Sequence, residues 1–360
     1  MDTLTHALSG ALLARATAPA AGTPGRMSMR QRMALGALAA ALPDADVVAS
    51  YVSPLSYLYH HRGATHSLLM LPLWAAVLAL LSVWLSRRAR PQHVPWGPAW
   101  REYAALFALG IGTHIAGDLI TSFGTMILAP LSDTRFEWST TFIIDLWFSG
   151  IIVAGLAAAA IWRKTRIPAV AATCVLAGYV GFQYLLQQRA IDFGVRYALA
   201  AGLGDYRVSA LPRPVSPFNW MVVVREPERY HYALVNVARK HALELPAAAG
   251  FFTRLSAPYL PLAQAVWLQA PMFGSAQREQ SLAREVWSEP GFGFFRWFAA
   301  YPALYRVDVS GRAYCTWFED LRFFTPGRPV VPFRYGMCRE AGGRWQPFQL
   351  LPTGERTPVF

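Results

Sequence analysis

The chain has 360 residues, 54% of them hydrophobic and only 15% charged, where an ordinary soluble domain is about 25% charged. That balance excludes a disordered chain, a collagen-like repeat and a plain cytosolic enzyme, and the length allows roughly two domains. The formal charge of +12 is spread as 13 Lys/Arg against 8 Asp/Glu in residues 1–188 and 20 against 13 in residues 189–360. No Lys/Arg run reads as a nucleic-acid stripe, so no nucleic-acid partner is expected.

Two short apolar stretches come first, Leu4–Ala14 and Met33–Leu42. Each falls below the roughly 20 residues that cross a bilayer. They are expected as a hairpin of short helices, either buried among other helices or lying in the interface. Asp2 stands where a signal peptide would be basic, so no cleaved leader is expected. Ser67–Leu85 carries no charge and reads as a transmembrane helix. Tyr103–Leu128 is apolar enough to span but contains His114 and Asp118. Phe142–Trp162, with Asp145 near its start, and Ile167–Leu186 complete a set of about four long helices.

Lys and Arg in short loops set the expected orientation. Arg26, Arg30 and Arg32 share one loop, Arg87, Arg88, Arg90 and Arg101 the next basic one, and Arg163, Lys164 and Arg166 the last. The loops between carry only Arg62 and Arg135. The basic loops are expected in the cytoplasm, which puts residues 43–66, 125–141 and everything after about 188 outside. Cys174, in an apolar run, reads as a small buried hydrophobe.

The chemistry-bearing residues gather on the outer side of that map. Asp2 and His6 begin the first short helix, and Asp44 and Asp46 end the second. His60, His61, Arg62 and His66 (HHRGATHS) precede the first long helix. His114 and Asp118 stand four apart on one helix face, and Asp145 begins the following span at its outer end. Ionisable residues inside a span are costly and mark function. Imidazoles and carboxylates together are ligands for zinc, manganese or iron. Gly63 and Gly117 would allow close packing there. Bland readings exist for each group: a core histidine at His6, turn caps at Asp44 and Asp46, a capping Thr65 or Ser67, a proton relay at His114 and Asp118. His93 falls in a basic loop, and His231 and His241 lie in the tail with no evident partner.

From residue 189 charge, Pro and Gly rise and no segment could span. Met221–Arg225, Tyr230–Val237, Leu304–Val309, Ala313–Phe318 and Val330–Tyr335 read as strands, with a hairpin turn at Ser310-Gly311 and a helix at Glu279–Trp287. This predicts a mostly antiparallel α+β extracytoplasmic domain with Trp220, Trp267, Trp287, Trp297, Trp317 and Trp345 in its core. Cys315 and Cys338 pair if their compartment is oxidising.

The blocks Asp-x-Leu-Thr-His-Ala-Leu-Ser-Gly (2–10), Leu-Pro-Asp-Ala-Asp (42–46), His-Arg-Gly-Ala-Thr-His-Ser (61–67), Thr-His-Ile-Ala-Gly-Asp (113–118) and Ile-Ile-Asp (143–145) resemble the YdjM-like family over about residues 1–190. Its members are inner-membrane proteins described as metal-dependent hydrolases. More remotely, the order of His6, Asp44 or Asp46, His60 or His66, and His114 with Asp118 is similar to the zinc-dependent phospholipase C and P1 nuclease group. That likeness implies phosphoester hydrolysis at zinc. The group's second His-x-x-x-Asp/Glu block is absent here, with only Asp145 near its place, and Asp2 stands near its N-terminal amine ligand.

The reading is therefore an α-helical polytopic membrane domain (1–188) and an α+β extracytoplasmic domain (189–360), located in a bacterial inner membrane with the tail in the periplasm. Metal ligands are expected among His6, Asp44, Asp46, His60, His66, His114, Asp118 and Asp145, holding one or two ions, zinc first and manganese second. Asp44 or Asp46 would act as base, and Arg62 would hold an anionic small-molecule or lipid phosphoester. The rivals are a proton- or metal-coupled transporter and a non-enzymatic protein with a structural metal. The sequence sets no oligomeric state.

Overall fold

The structure is a computed structural model describing all residues except 20–26, 90–95, 247, 312, 329–330, 341 and 360. Arg26, Arg90, His93 and Val330 therefore lie outside the described residues. The chain divides into two compact units: residues 1–49 with 59–184, and residues 50–58 with 185–360.

The first unit is helical: α1 (Thr3–Ala16), α2 (Met29–Ala41), α4 (Leu71–Ala89), α5 (Trp96–Leu119), α6 (Leu146–Ile161) and the first half of α7 (Ile167–Ala200). The short α3 (Pro54–His60) precedes α4 in the chain, and its residues up to Leu58 group with the second unit. Asp2 caps α1 by accepting from Thr5 N at 3.0 Å, and Ser28 with Gln31 forms a capping box on α2. The Met33–Leu42 stretch is less short than its composition suggests. Pro43 cannot donate to an α-helix, yet the chain continues from α2 as a 3-10 helix over Leu42–Tyr51. Among the described residues, Met29–Tyr51 is then one of three helical segments long and apolar enough to cross a membrane, with Leu71–Arg88 and Ile167–Ala200. The 16-residue α6 is shorter, and the Tyr103–Leu128 helix stops at Leu119.

Glycines set how closely these helices approach. A Cβ on Gly10 would stand 2.1 Å from the Gly36 carbonyl oxygen, and one on Gly110 would stand 2.5 Å from Ala39 Cβ. α1, α2 and α5 therefore meet backbone to backbone, the small-residue packing that apolar surroundings favour. Outward faces are apolar: Leu73, Val77, Leu80 and Leu81 of α4 are all exposed. Cys174, expected to be buried, is exposed on α7. An apolar helix face in a membrane is covered by hydrocarbon, so an apolar run does not imply protein around it.

Basic groups collect at one end of this unit. Arg15 donates to the carbonyls of Arg163 and Thr165, Arg32 to Ala14, and Arg166 to Ala18. His6 lies nine residues before Arg15, about 14 Å along the helix at 1.5 Å per residue, toward the opposite end.

The second unit carries two antiparallel-rich sheets. β1 (Arg207–Pro212), β2 (Asn219–Arg225) and β3 (Arg229–Asn236) form a meander, with β4 (Leu260–Pro261) parallel and β5 (Trp267–Pro271) antiparallel to β3. β6 (Pro302–Ser310), β7 (Ala313–Asp320), β8 (Tyr335–Arg339), β9 (Gln346–Leu350) and β10 (Arg356–Pro358) form a second meander. In the chain α8 (Phe251–Ser256) comes between β3 and β4, and α9 (Gln277–Ser288) and α10 (Gly293–Phe298) come between β5 and β6. The β6–β7 hairpin turns at Gly311, whose φ of 59° is the left-handed value that a tight hairpin needs. The strand expected over Val330–Tyr335 instead begins at Tyr335. Trp220 and Trp317 are buried in the sheets, whereas Trp267, Trp287, Trp297 and Trp345 are half-buried. Cys315 and Cys338 face each other on β7 and β8 and form a disulfide.

Candidate metal centre

Four groups converge where the 3-10 segment after α2, the HHRGATHS loop and α5 meet. One ligand atom from each of Asp44, His66, His114 and Asp118 lies within 4.8 Å of all the others. His114 Nε2 and His66 Nε2 are 2.8 Å apart. Asp118 Oδ2 is 3.2 Å from His66 Nε2 and 3.4 Å from His114 Nε2. Asp44 Oδ1 is 3.7 and 3.5 Å from the same two nitrogens.

Hydrogen bonds decide what those nitrogens offer. His114 Nδ1 lies 2.6 Å from the Ala40 carbonyl, which only accepts, so Nδ1 carries the proton. On His66, Nδ1 faces Thr65 Oγ1 at 2.9 Å and Asp46 Oδ2 at 3.3 Å, while Thr65 Oγ1 donates to Asp46 at 2.9 Å. Both Nε2 atoms therefore turn lone pairs into the same small space as two carboxylate oxygens. Such a space calls for a positive charge. A proton on His66 Nε2 is one such charge, since burial alone would push that imidazole down but the Asp118, Asp44 and Asp46 carboxylates outweigh it and raise its pKa to about 10; a metal ion is the other, and it takes the Nε2 lone pair in the proton's place. His61 shifts the other way, lowered chiefly by burial. Asp118 is fully buried, and its Oδ2 has no hydrogen-bond donor among the described residues.

The surrounding residues hold these ligands. Asp118 Oδ1 meets His6 Nε2 at 3.1 Å, Arg62 Nη2 at 3.0 Å and the buried Met1 amine. His6 stacks on His114 with ring centroids 3.7 Å apart. A Cβ on Gly117 would sit 3.1 Å from the His6 ring, so glycine there admits the imidazole. Asp46 takes His61 Nδ1 at 2.8 Å and the Arg62 amide at 3.1 Å besides its contacts to Thr65 and His66. Thr3 donates to Asp44 Oδ2 at 2.6 Å.

Of the eight expected ligands, the structure gathers Asp44, His66, His114 and Asp118. His6 and Asp46 stand behind them as partners of Asp118 and His66. His60 is exposed on the end of α3 and outside the cluster; its neighbour His61 is the one that faces Asp46. Asp145 is occupied elsewhere. It caps α6 by accepting from Trp147 N and Phe148 N, both at 2.9 Å, and it also accepts from Tyr179 and Gln183. Arg62, expected to hold substrate, is buried with its guanidinium spent on Asp118 and Thr121. Asp2 is a helix cap, and the Met1 amine is the group that reaches Asp118.

Two functional partners were not visible in sequence. Ala40 contributes a carbonyl, for which no side-chain signal exists. Of the two candidate caps, Thr65 and Ser67, Ser67 takes that work, its Oγ accepting from Leu69 N at 3.1 Å, and Thr65 holds Asp46 and His66 instead. In the tail, His231 does have partners: Glu226 at 2.9 Å and Tyr197 at 2.8 Å.

Residues 1–190 match the family described as YdjM inner membrane protein. The chain belongs to the YdjM family. The four-residue cluster thus lies wholly inside the family region. A further relative is YfhP of Bacillus subtilis (strain 168), described as an uncharacterized protein and 25% identical over 230 residues, which are 62% of this chain. The chain spans 65% of the length of that relative. No solved structure matches the chain.

Proposed function

We propose that this YdjM-family protein is a membrane-bound, metal-dependent hydrolase of phosphoesters. The observation that carries the reading is the pair of imidazole lone pairs and two carboxylates turned into one buried space. The donors fit a divalent ion: two nitrogens and two carboxylate oxygens, one of the oxygens buried and without a donor among the described residues, suit zinc best, and manganese second. His66, His114, Asp44 and Asp118 would hold it. When bound, the ion supplies Lewis acidity, lowering the pKa of a coordinated water to about 7 and offsetting charge on a phosphoryl oxygen.

The chain's own groups then have distinct tasks. Arg62 and His6 fix Asp118, and Asp46 with Thr65 fixes the His66 ring; these are positioning residues. Asp44 is the ligand with residual solvent access, 12% against 0% for Asp118, so its Oδ2, the oxygen turned away from the cluster and held by Thr3, is the base that takes the proton of the attacking water once the Thr3 hydroxyl turns aside. The water oxygen forms a bond to phosphorus and the ester P–O bond breaks. Its electron pair leaves with the alcohol oxygen, which takes up the proton that Asp44 received from the water.

The Arg-rich end of the helical unit reads as cytoplasmic and the cluster end as periplasmic. The Cys315–Cys338 disulfide supports an oxidising compartment for the tail. The test is hydrolysis of bis-p-nitrophenyl phosphate by purified protein loaded with zinc or manganese. Release of p-nitrophenol that disappears in His66→Ala supports the reading; equal rates in the two proteins contradict it.

A further inference from the structure

Beside the cluster lies a cavity of about 720 Å³, bounded by α1, α5, α6 and α7. Its volume falls within the roughly 300–1,000 Å³ typical of ligand sites. The lining is apolar along most of its extent, with Leu12, Leu13, Ile120, Phe148, Leu176 and Val180. The polar exception that matters is His6, which lines the cavity and also touches Asp118 of the cluster at 3.1 Å. Gly117, one residue before Asp118, lines it too. The cavity therefore ends at the wall of the metal centre.

Small side chains hold this space open. Ala108, Gly112 and Ala116 recur at four-residue spacing along α5, and Gly181 faces them from α7. A Cβ on Gly181 would meet nothing within 4 Å, and one on Gly112 only Leu71 at 3.6 Å. Gly10, Gly36 and Gly110 do the opposite, since each is pressed against a neighbouring helix. Glycine at Gly112 and Gly181 is thus not required by packing. The cavity opens to the outer surface of the helical unit, where Ala116, Ala177 and Gly181 are exposed, and an apolar recess there favours apolar occupants over water. In a helical unit with apolar outward faces, the available occupant is hydrocarbon.

We propose that the cavity receives an acyl chain of a membrane phospholipid and brings its phosphoester to the Asp44–His66–His114–Asp118 cluster. The substrate class is then a bilayer lipid and not a soluble metabolite. The catalytic half of this statement rests on the hydrolase reading above; occupancy of the cavity does not.

The test uses the full chain in phosphatidylethanolamine vesicles containing phosphatidylglycerol with a diazirine-bearing acyl chain. After photolysis, adducts are mapped by peptide mass spectrometry, and metal content is measured on the same preparation. Wild type is expected to carry adducts on residues 108–116 and 173–181 besides those on the outward face of α4 at Leu73, Val77 and Leu80. In Ala116→Leu/Gly181→Leu the cavity adducts should be lost while the α4 adducts and the metal content persist. Gly112→Leu, which fills the cavity from α5 alone, gives the same readout should the double variant fail to fold. Wild-type adducts confined to α4, or cavity adducts that survive filling, overturn the proposal. Cavity adducts in a protein that holds no metal would sink the hydrolase reading and leave the lipid site standing.

Discussion

The proton on His114 Nδ1 is spent on the Ala40 carbonyl, and the proton on His66 Nδ1 on the Thr65–Asp46 pair. These hydrogen bonds turn two ordinary histidines into donors aimed at one point. They also grade the substitutions. Loss of a ligand in His66→Ala should abolish metal retention. Loss of its support in Asp46→Ala should weaken affinity about 10–100-fold without abolishing it, which titration with a competing chelator can measure. Asp145→Ala should behave differently again: removal of the α6 cap costs about 0.5–2 kcal/mol of stability, seen as a lower melting temperature at unchanged metal content. Loss of metal in Asp145→Ala would return that residue to the ligand set. At this scale the sequence exposed residue types and order, because His and Asp inside apolar segments are conspicuous. It did not separate ligands from their supports. His60 and His61 are neighbours in sequence and differ only in the direction the chain takes after α3.

The helices bring those residues together through close approach. His114 reaches the Ala40 carbonyl because Gly110, one turn earlier on α5, lets that helix lie against Ala39 and Ala40 of α2. Gly110→Leu should separate the two helices. The expected cost is about 1–3 kcal/mol of overpacking and a loss of metal out of proportion to it. Thermal unfolding read alongside metal analysis checks this; full metal retention in a folded Gly110→Leu protein would show that the approach is dispensable. Element type was legible wherever the period was long and unbroken, as in α1, α4 and α7. Boundaries were not. Pro43 looks like a terminator, yet a 3-10 helix follows it and carries Asp44 and Asp46. Such a continuation is a tertiary outcome, stabilised by what those aspartates bind. In the tail, strands rich in β-branched and aromatic residues were legible as β2, β3, β6 and β7, and the strand expected over Val330–Tyr335 meets β8 only at Tyr335, whereas β1, β4, β5, β9 and β10 were not legible. Their residues alternate weakly, and pairing with neighbours defines them.

Across the whole molecule, composition announced a membrane protein with a folded tail, and the three apolar spans and the two sheets of the second unit agree with it. Residues 50–58 grouping with the second unit was not legible, since a chain cut in sequence order cannot show it. The disulfide gives a whole-molecule test of compartment. Protein alkylated in intact membranes should carry one modification at most, at Cys174, and two more after reduction, because the chain holds three cysteines and two of them are joined. Three modifications without reduction would place the tail in a reducing compartment and reverse the orientation.

The most direct measurement is elemental mass spectrometry of the detergent-purified protein, wild type beside His114→Ala/Asp118→Ala. At least one equivalent of a divalent transition metal in wild type, lost in the variant, is the predicted result. No metal in either protein after reconstitution with zinc and manganese would contradict the account at its centre.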